Sequence, residues 1–250
     1  MSSETPEIII RECDTIEEMK KCVEIQRRVF SSTDLEISPA RHLLVSKHAG
    51  GWTLGAYIGD TLAGFVLSVP MFRGDGRALY SHMTGVEKEF QNLGIGAKLK
   101  WAQRQRALEE GINYIKWTFQ PVLARNAYFN LERLGAEIKT YMPNFYGFDS
   151  DGNSDVGDAV GVPSDRLFAE WNLDSPKVTA LANGETWFER AEVRARIEVP
   201  TDWNSLILRN PKTALAEQDR VKSAFEDALP AGLIARGFER SDTHPAFLLY

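Results

Sequence analysis

The stretch that most constrains this chain is Val86-Glu87-Lys88-Glu89-Phe90-Gln91-Asn92-Leu93-Gly94-Ile95-Gly96-Ala97-Lys98. An apolar, strand-like run from Ala78 ends at Val86, two closely spaced glycines follow, and a helical pattern continues to about Glu110. Glycines at 94 and 96 remove the Cβ atoms that would hold an anion away from the backbone, so several amides can converge on one cluster of oxygens. The first-turn N–H groups of a helix lack intrahelical partners and carry the positive end of its dipole. The stretch therefore reads either as a pyrophosphate site that needs no lysine or as a tight strand-to-helix turn.

Two better-known phosphate loops are excluded. A P-loop requires G-x-x-x-x-G-K-[ST], and a dinucleotide fingerprint requires G-x-G-x-x-G followed by a distant acid; neither pattern is present here. What remains is Gln91-x-x-Gly94-x-Gly96, beginning five residues after Val86. That spacing resembles the coenzyme A loop, [QR]-x-x-G-x-[GA], of the GCN5-related N-acetyltransferase (GNAT) superfamily. A second motif follows in the order the superfamily has it: strand-like Tyr114 to Phe119, then Arg125-Asn126-Ala127-Tyr128-Phe129-Asn130-Leu131-Glu132-Arg133-Leu134-Gly135-Ala136. Ala127 precedes the glycine of the Leu-Gly pair by eight residues, the interval kept in that superfamily. The resemblance spans roughly Glu7 to Tyr146. Ser81-His82-Met83 and Arg125 to Asn130 are similar to a bacterial branch of predicted acetyltransferases, some of them associated with N-acylamino acid metabolism, including N-succinylation.

The resemblance implies an α/β (α+β) fold, with a mixed, mostly antiparallel central sheet flanked by helices and a small C-terminal α/β extension. It implies a GNAT-like catalytic domain over 1–174, with 175–250 as the extension. It implies acetyl-CoA or another acyl-CoA as co-substrate, no metal, and a small-molecule amine as acceptor. Thr84, Gly85, Val86, Gln91, Asn92, Leu93, Gly94, Ile95, Gly96 and Ala97 would hold the coenzyme, and Asn126 would either bond the pantetheine or cap its helix. In the superfamily the strand before the loop bulges and frees backbone amides for the thioester carbonyl. The amides near Gly85 and Val86 would serve that purpose here.

Acyl transfer to an amine needs a neutral amine, a stabilised oxyanion and a proton for the departing thiolate. Many relatives place a general-base glutamate four residues before the valine; this chain has His82. A histidine, with a reference pKa near 6.5, suits that task at neutral pH. It also reads as a packed strand residue. The usual general acid is a tyrosine four residues before the second-motif glycine, where this chain has Leu131; Tyr128, one turn earlier, is the candidate instead and reads equally as core. The two cysteines, Cys13 and Cys22, lie away from the proposed thioester, which favours direct attack over a covalent enzyme intermediate. A coenzyme-binding or regulatory module without turnover is the competing reading.

Composition narrows the classes. A net charge of −6 argues against nucleic acid bound by bulk electrostatics. Two cysteines without ligand spacing fit neither a metal site nor a disulfide scaffold, which fits a reducing, cytoplasmic setting. No leader pattern and no apolar run of about 18 residues is read, so no membrane partner is expected. The acids of Asp149 to Asp155 alternate like a calcium loop, but Ser154 and Val160 stand where Gly and Glu belong, and an exposed linker is the better reading.

The remaining elements follow from periodicity and turn chemistry. Ile8 to Ile10 reads as a strand, Thr15 with Glu18 as a capping box opening a helix to about Val29, and Ala40 to His48 as a shorter helix. Gly59-Asp60 joins two strands and Gly74 to Gly76 leads to a third. Gln103 to Arg106 read as the polar face of the loop helix, and Ala136 to Phe148 as a strand interrupted near Pro143. Beyond the linker, Arg166 to Trp171 reads as a strand and Ser175 to Thr186 as a polar connection. A strand to Val199, a helix from Pro211 capped by Asn210, and closing strands Leu233 to Glu239 and Ala246 to Tyr250 complete the chain, with dimerisation or acceptor binding as possible uses of this end.

Overall fold

The computed structural model describes residues 6–30, 34–149 and 162–250, and the chain divides between Ile115 and Lys116 into two compact units. The first contains β1 (Ile9–Glu12), α1 (Ile16–Phe30), α2 (Ala40–His48), β2 (Trp52–Ile58), β3 (Thr61–Arg73), β4 (Gly76–Val86), a short 3₁₀ turn (Lys88–Phe90) and α3 (Ile95–Glu109). Its strands lie in the order β1-β2-β3-β4 and pair antiparallel.

Local chemistry accounts for these elements. The Thr15–Glu18 capping box is formed in both directions: Thr15 Oγ1 accepts from the Glu18 amide at 3.2 Å, and Glu18 Oε2 accepts from the amides of Asp14 and Thr15. Gly59 turns the β2–β3 hairpin with φ +56°. The middle of β3, Leu62 to Ser68, is buried without alternation, as a strand covered on both faces must be. Phe65 and Leu67 pack with Met19, Cys22 and Ile25 of α1 and Leu43 of α2. Ser68, next along the strand, instead meets Gln103 of α3.

This last contact corrects the sequence reading of α3. Gln103 is fully buried, as are Leu99 and Ala107, so it belongs to the helix's inward face and only its neighbours are more exposed. The four-residue interval Ile95, Leu99, Gln103, Ala107 is the signal that an apolar-only count overlooks.

The strand β5 (Tyr114–Phe119) runs from the first unit into the second. The second unit continues with α4 (Ala124–Tyr128), which passes into a π-helical turn (Phe129–Arg133), and then β6 (Glu137–Met142). Next come β7 (Phe148–Asp149), β8 (Val162–Pro163), β9 (Arg166–Asn172), α5 (Pro176–Ala182) and β10 (Ala195–Glu198). The helices α6 (Trp203–Arg209) and α7 (Pro211–Ala228) precede the last strands, β11 (Ala235–Glu239) and β12 (Ala246–Leu249). From β5 the strand order is β9-β6-β11-β12-β10, while β7 and β8 form a separate pair. The chain is thus a mixed α/β protein whose strands pair mostly antiparallel, as expected.

Two helices escaped the sequence reading. The stretch taken as a polar connection after Ser175 folds as α5, with Ser175 Oγ accepting from the Val178 amide and Pro176 in its first turn. Asp202 caps α6 in the same way, accepting from the Ser205 amide at 3.0 Å. Asn210 caps α7 as expected, through its Oδ1 and the Thr213 amide. The calcium-like stretch lies, from residue 150 to its end, outside the described residues.

Candidate active site

β4 is where the first unit departs from regular pairing. Its ladder with β3 runs Ser68↔Ser81 and then Leu67↔Met83, so His82 is skipped: it is the extra residue of a β-bulge. A bulged residue has no opposite number on the neighbouring strand, which leaves its side chain free to be aimed elsewhere. The His82 imidazole is open to solvent at its surface while most of the volume around it is protein, the situation of a group in a recess. That burial lowers its pKa below 6.5, and the nearby His42 lowers it further. At neutral pH the ring is therefore uncharged and able to take a proton.

Two neighbours hold the ring. His82 Nε2 lies 3.2 Å from Ser38 Oγ, and the His42 ring meets it edge-on at 6.0 Å between centroids. Ser38 is itself fixed by Gln26 of α1, a buried amide that pairs with the serine backbone twice. Gln26 Oε1 accepts from the Ser38 amide at 2.9 Å, and Gln26 Nε2 donates to its carbonyl at 3.1 Å. Sequence reasoning singled out His82 from the resemblance and its distance to Val86, but not its neighbours Ser38, Gln26 and His42. These three come from α1, α2 and the loop between them, and no spacing in the chain links them to β4.

Downstream of His82, β4 continues through Thr84, Gly85 and Val86 to the glycine loop. Gly85 is a position of close approach: a Cβ there would lie 3.3 Å from both Ile25 Cγ2 and Phe65 Cε1, so α1 packs against bare backbone. Arg28 of α1 bonds Glu87 through Nε at 2.8 Å, tying the helix to the exit of β4. Gln91 turns back on the strand, its Nε2 donating to the Val86 carbonyl at 3.2 Å. Asn92 takes φ +67° and Gly94 φ +77°, and Gly94 is the N-terminal flanking residue of α3. The first helical bond runs from the Lys98 amide to the Gly94 carbonyl, so the amides of Ile95, Gly96 and Ala97 precede it. Leu93 is partly exposed, whereas the Ile95 side chain is buried and anchors the helix start.

A Cβ built at Gly94 or at Gly96 would meet nothing within 4 Å. Packing inside the protein therefore requires neither glycine, although φ +77° favours one at 94, and both leave clear a space beside first-turn amides that have no intrahelical partner, which fits a bound pyrophosphate. Gln91, the glycines and the helix start are brought together as their spacing implied.

In the second unit, α4 carries the other motif. Its N-terminal flanking residue is Leu123 and no side chain caps it, so Asn126, in the first turn, does not serve as the cap. Tyr128 is half-buried at the end of α4, with the Arg240 guanidinium 5.0 Å from its ring centroid. Leu131 is fully buried. The helix closes in a π turn, with Gly135 at φ +75° and the Trp171 indole donating to the Leu134 carbonyl at 2.7 Å. Among the described residues no group of three or more His, Cys, Asp or Glu could hold a metal ion. The Cys13 and Cys22 sulfurs are buried 3.9 Å apart as free thiols.

Comparison with known proteins agrees with this geometry. Residues 18–135 match the model of the Acetyltransferase (GNAT) family. No curated protein matches the chain in sequence. Among solved structures, a predicted acetyltransferase from Acinetobacter baylyi superposes with a TM-score of 0.55 at 17% identity, covering 69% of this chain and 96% of that one. A Salmonella typhimurium protein solved with its cofactor acetyl-CoA gives 0.53 at 18% identity, covering 68% and 95%. The ribosomal-protein-S18-alanine N-acetyltransferase of Escherichia coli gives 0.52 at 13% identity, covering 74% and 99%. At these identities the structural likeness is one of fold, and it agrees with the family match, in which residues 18–135 are similar to a GNAT-family acetyltransferase domain.

Proposed function

We propose that this protein is an acyl-CoA-dependent N-acyltransferase, with acetyl-CoA as donor and the amine of a small molecule such as an amino acid as acceptor, working by direct attack. The observation that carries this reading is the bulge that lifts His82 out of the β4 ladder, on the strand that leads into the glycine loop. The family match supports the reaction class. The small acceptor rests on the likeness of the Ser81 and Arg125 segments to a branch associated with N-acylamino acids.

The chain's own residues then divide the work. Asn92 to Ala97 bind the pyrophosphate through backbone amides and the start of α3. Amides near Gly85 and Val86 meet the thioester oxygen as it gains charge. His82, uncharged at neutral pH, takes the proton from the acceptor ammonium, directly or through water, while Ser38 keeps its ring in place. Tyr128 gives a proton to the departing sulfur. Attack by the amine forms the amide bond and breaks the carbon–sulfur bond, the nitrogen's second proton passes through solvent to restore Tyr128, and no covalent enzyme intermediate is needed.

Calorimetric titration with acetyl-CoA and then succinyl-CoA tests the donor site. We expect saturable binding that favours acetyl-CoA. We also expect Gly96→Val, whose side chain enters space where a Cβ meets nothing within 4 Å, to fold normally yet bind at least about tenfold more weakly, a loss of about 1.4 kcal/mol. Unchanged affinity in Gly96→Val would show that the loop is only a turn. A preference for succinyl-CoA would make the protein an N-succinyltransferase.

A further inference from the structure

The interior of the first unit holds a polar cluster at an unexpected place. Ser68 and Gln103 are fully buried, Lys100 is 3% exposed and Ser81 is 4% exposed. Lys100 Nζ donates to Ser81 Oγ at 3.0 Å and to Gln103 Oε1 at 2.6 Å. Gln103 Nε2 donates to Ser68 Oγ at 2.9 Å and to Ser81 Oγ at 3.1 Å. Ser68 and Ser81 are partners in the β3–β4 register, and theirs is the last pair before the ladder skips His82. Lys100 and Gln103 stand on α3, the helix that begins at the glycine loop.

Stability alone gives little reason for such a cluster. Burying an amine and an amide is costly unless each is paired, and an apolar set of similar shape is often as stable or more so. Burial pushes the Lys100 pKa well below its ordinary 10.5, which registers that cost. What a satisfied polar network provides is one arrangement in preference to its neighbours. That matters here because a bulge is a one-residue offset: moving it along β4 by one position would return His82 to the ladder and expel Ser81 or Met83 instead. The four hydrogen bonds close only when Ser81 faces Ser68, which is the register that leaves His82 outside.

We infer that Lys100 and Gln103 are positioning residues that lock the β4 bulge at His82 and so set its imidazole for acyl transfer, linking the coenzyme-binding helix to the strand that carries the base. The lock acts through His82 and rests on the acyltransferase reading for its effect on turnover. Its effect on the histidine itself does not depend on that reading.

The test is Lys100→Met together with Gln103→Leu, an apolar pair of similar size, with Ser81→Ala as a milder second variant. Three quantities are measured: the nitrogen resonances of the His82 imidazole, assigned by their absence in His82→Ala; acetyl-CoA affinity; and kcat with the best amine acceptor. The lock predicts folded variants whose His82 resonances shift or split, whose coenzyme affinity stays within about threefold, and whose kcat falls about tenfold or more, as a displacement near 1 Å allows. His82 resonances identical to wild type in Ser81→Ala and in whichever other variant folds would overturn it, whatever the kinetics. So would a kcat unchanged in the face of shifted resonances. If the wild-type protein binds acetyl-CoA but acylates no amine, the acyltransferase reading fails, and the resonances still decide whether the lock exists.

Discussion

At the scale of single residues, the protein's behaviour turns on how His82 is surrounded. Its pKa lies below 6.5 because burial disfavours the charged ring and His42 adds repulsion when protonated. The acid limb of kcat/KM should therefore have its midpoint below 6.5. His42→Gln removes the smaller cause and should move that midpoint upward, leaving the burial effect in place. A pH–rate profile in which the midpoint stays put or falls would contradict this assignment. The sign for stability follows from the same shift: between the native pKa and 6.5 the unfolded chain binds the proton that the native ring refuses. His82 thus costs stability progressively as pH falls through that window. His82 could be singled out in the sequence because the resemblance puts the usual base four residues before Val86, a local, one-dimensional interval. Ser38, Gln26 and Lys100 were not, because their roles exist only after helices and strands distant in the chain have packed together.

At the scale of elements, boundaries were legible wherever a turn or cap has its own chemistry. The capping box at Thr15, the Gly59-Asp60 hairpin and the Asn210-Pro211 helix start all formed as their residues dictate. The misses at α5 and α6 carry the same signals, Ser175-Pro176 and Asp202, but the short segments behind them lack a long apolar period to confirm a helix. The glycine that ends the second motif makes a stability prediction at this scale. Gly135 holds φ +75°, and a Cβ there would come within 3.1 Å of Leu181 Cδ1 and 3.2 Å of Val178 Cγ2, both on α5. Gly135→Ala should then cost about 1–3 kcal/mol, from the left-handed backbone and the crowding of α5 together. Equilibrium denaturation measures it, and a loss below about 0.5 kcal/mol, the usual scatter of neutral surface changes, would show that the backbone simply relaxes.

At the scale of the whole molecule, the strands that periodicity suggested after the linker are present as β9, β10, β11 and β12, and the described residues add α5 and α6 to the helix expected at Pro211. β11 pairs with β6 and with β12, and α7 covers the sheet through Phe225, which is stacked on Tyr141 at 5.7 Å and edge-on to Phe247 at 5.1 Å. Strand pairing between segments a hundred residues apart cannot be read from a linear pattern, since any two alternating runs are compatible in isolation. Phe225 is completely buried, so Phe225→Ala should destabilise the second unit by about 3–5 kcal/mol. Thermal unfolding followed by tryptophan fluorescence would report it through Trp171, and a change under about 1 kcal/mol would mean that α7 contributes little to this core.

The account as a whole depends on His82 acting as a base beside an independent coenzyme site, and His82→Ala separates the two. Acetyl-CoA affinity and amine-dependent release of free coenzyme are measured on the same preparation. The expected result is affinity within about threefold of wild type and turnover reduced by about 10²–10⁴, the range a positioned general base contributes. Turnover retained at the wild-type level would contradict the central claim and return His82 to the role of a packed strand histidine.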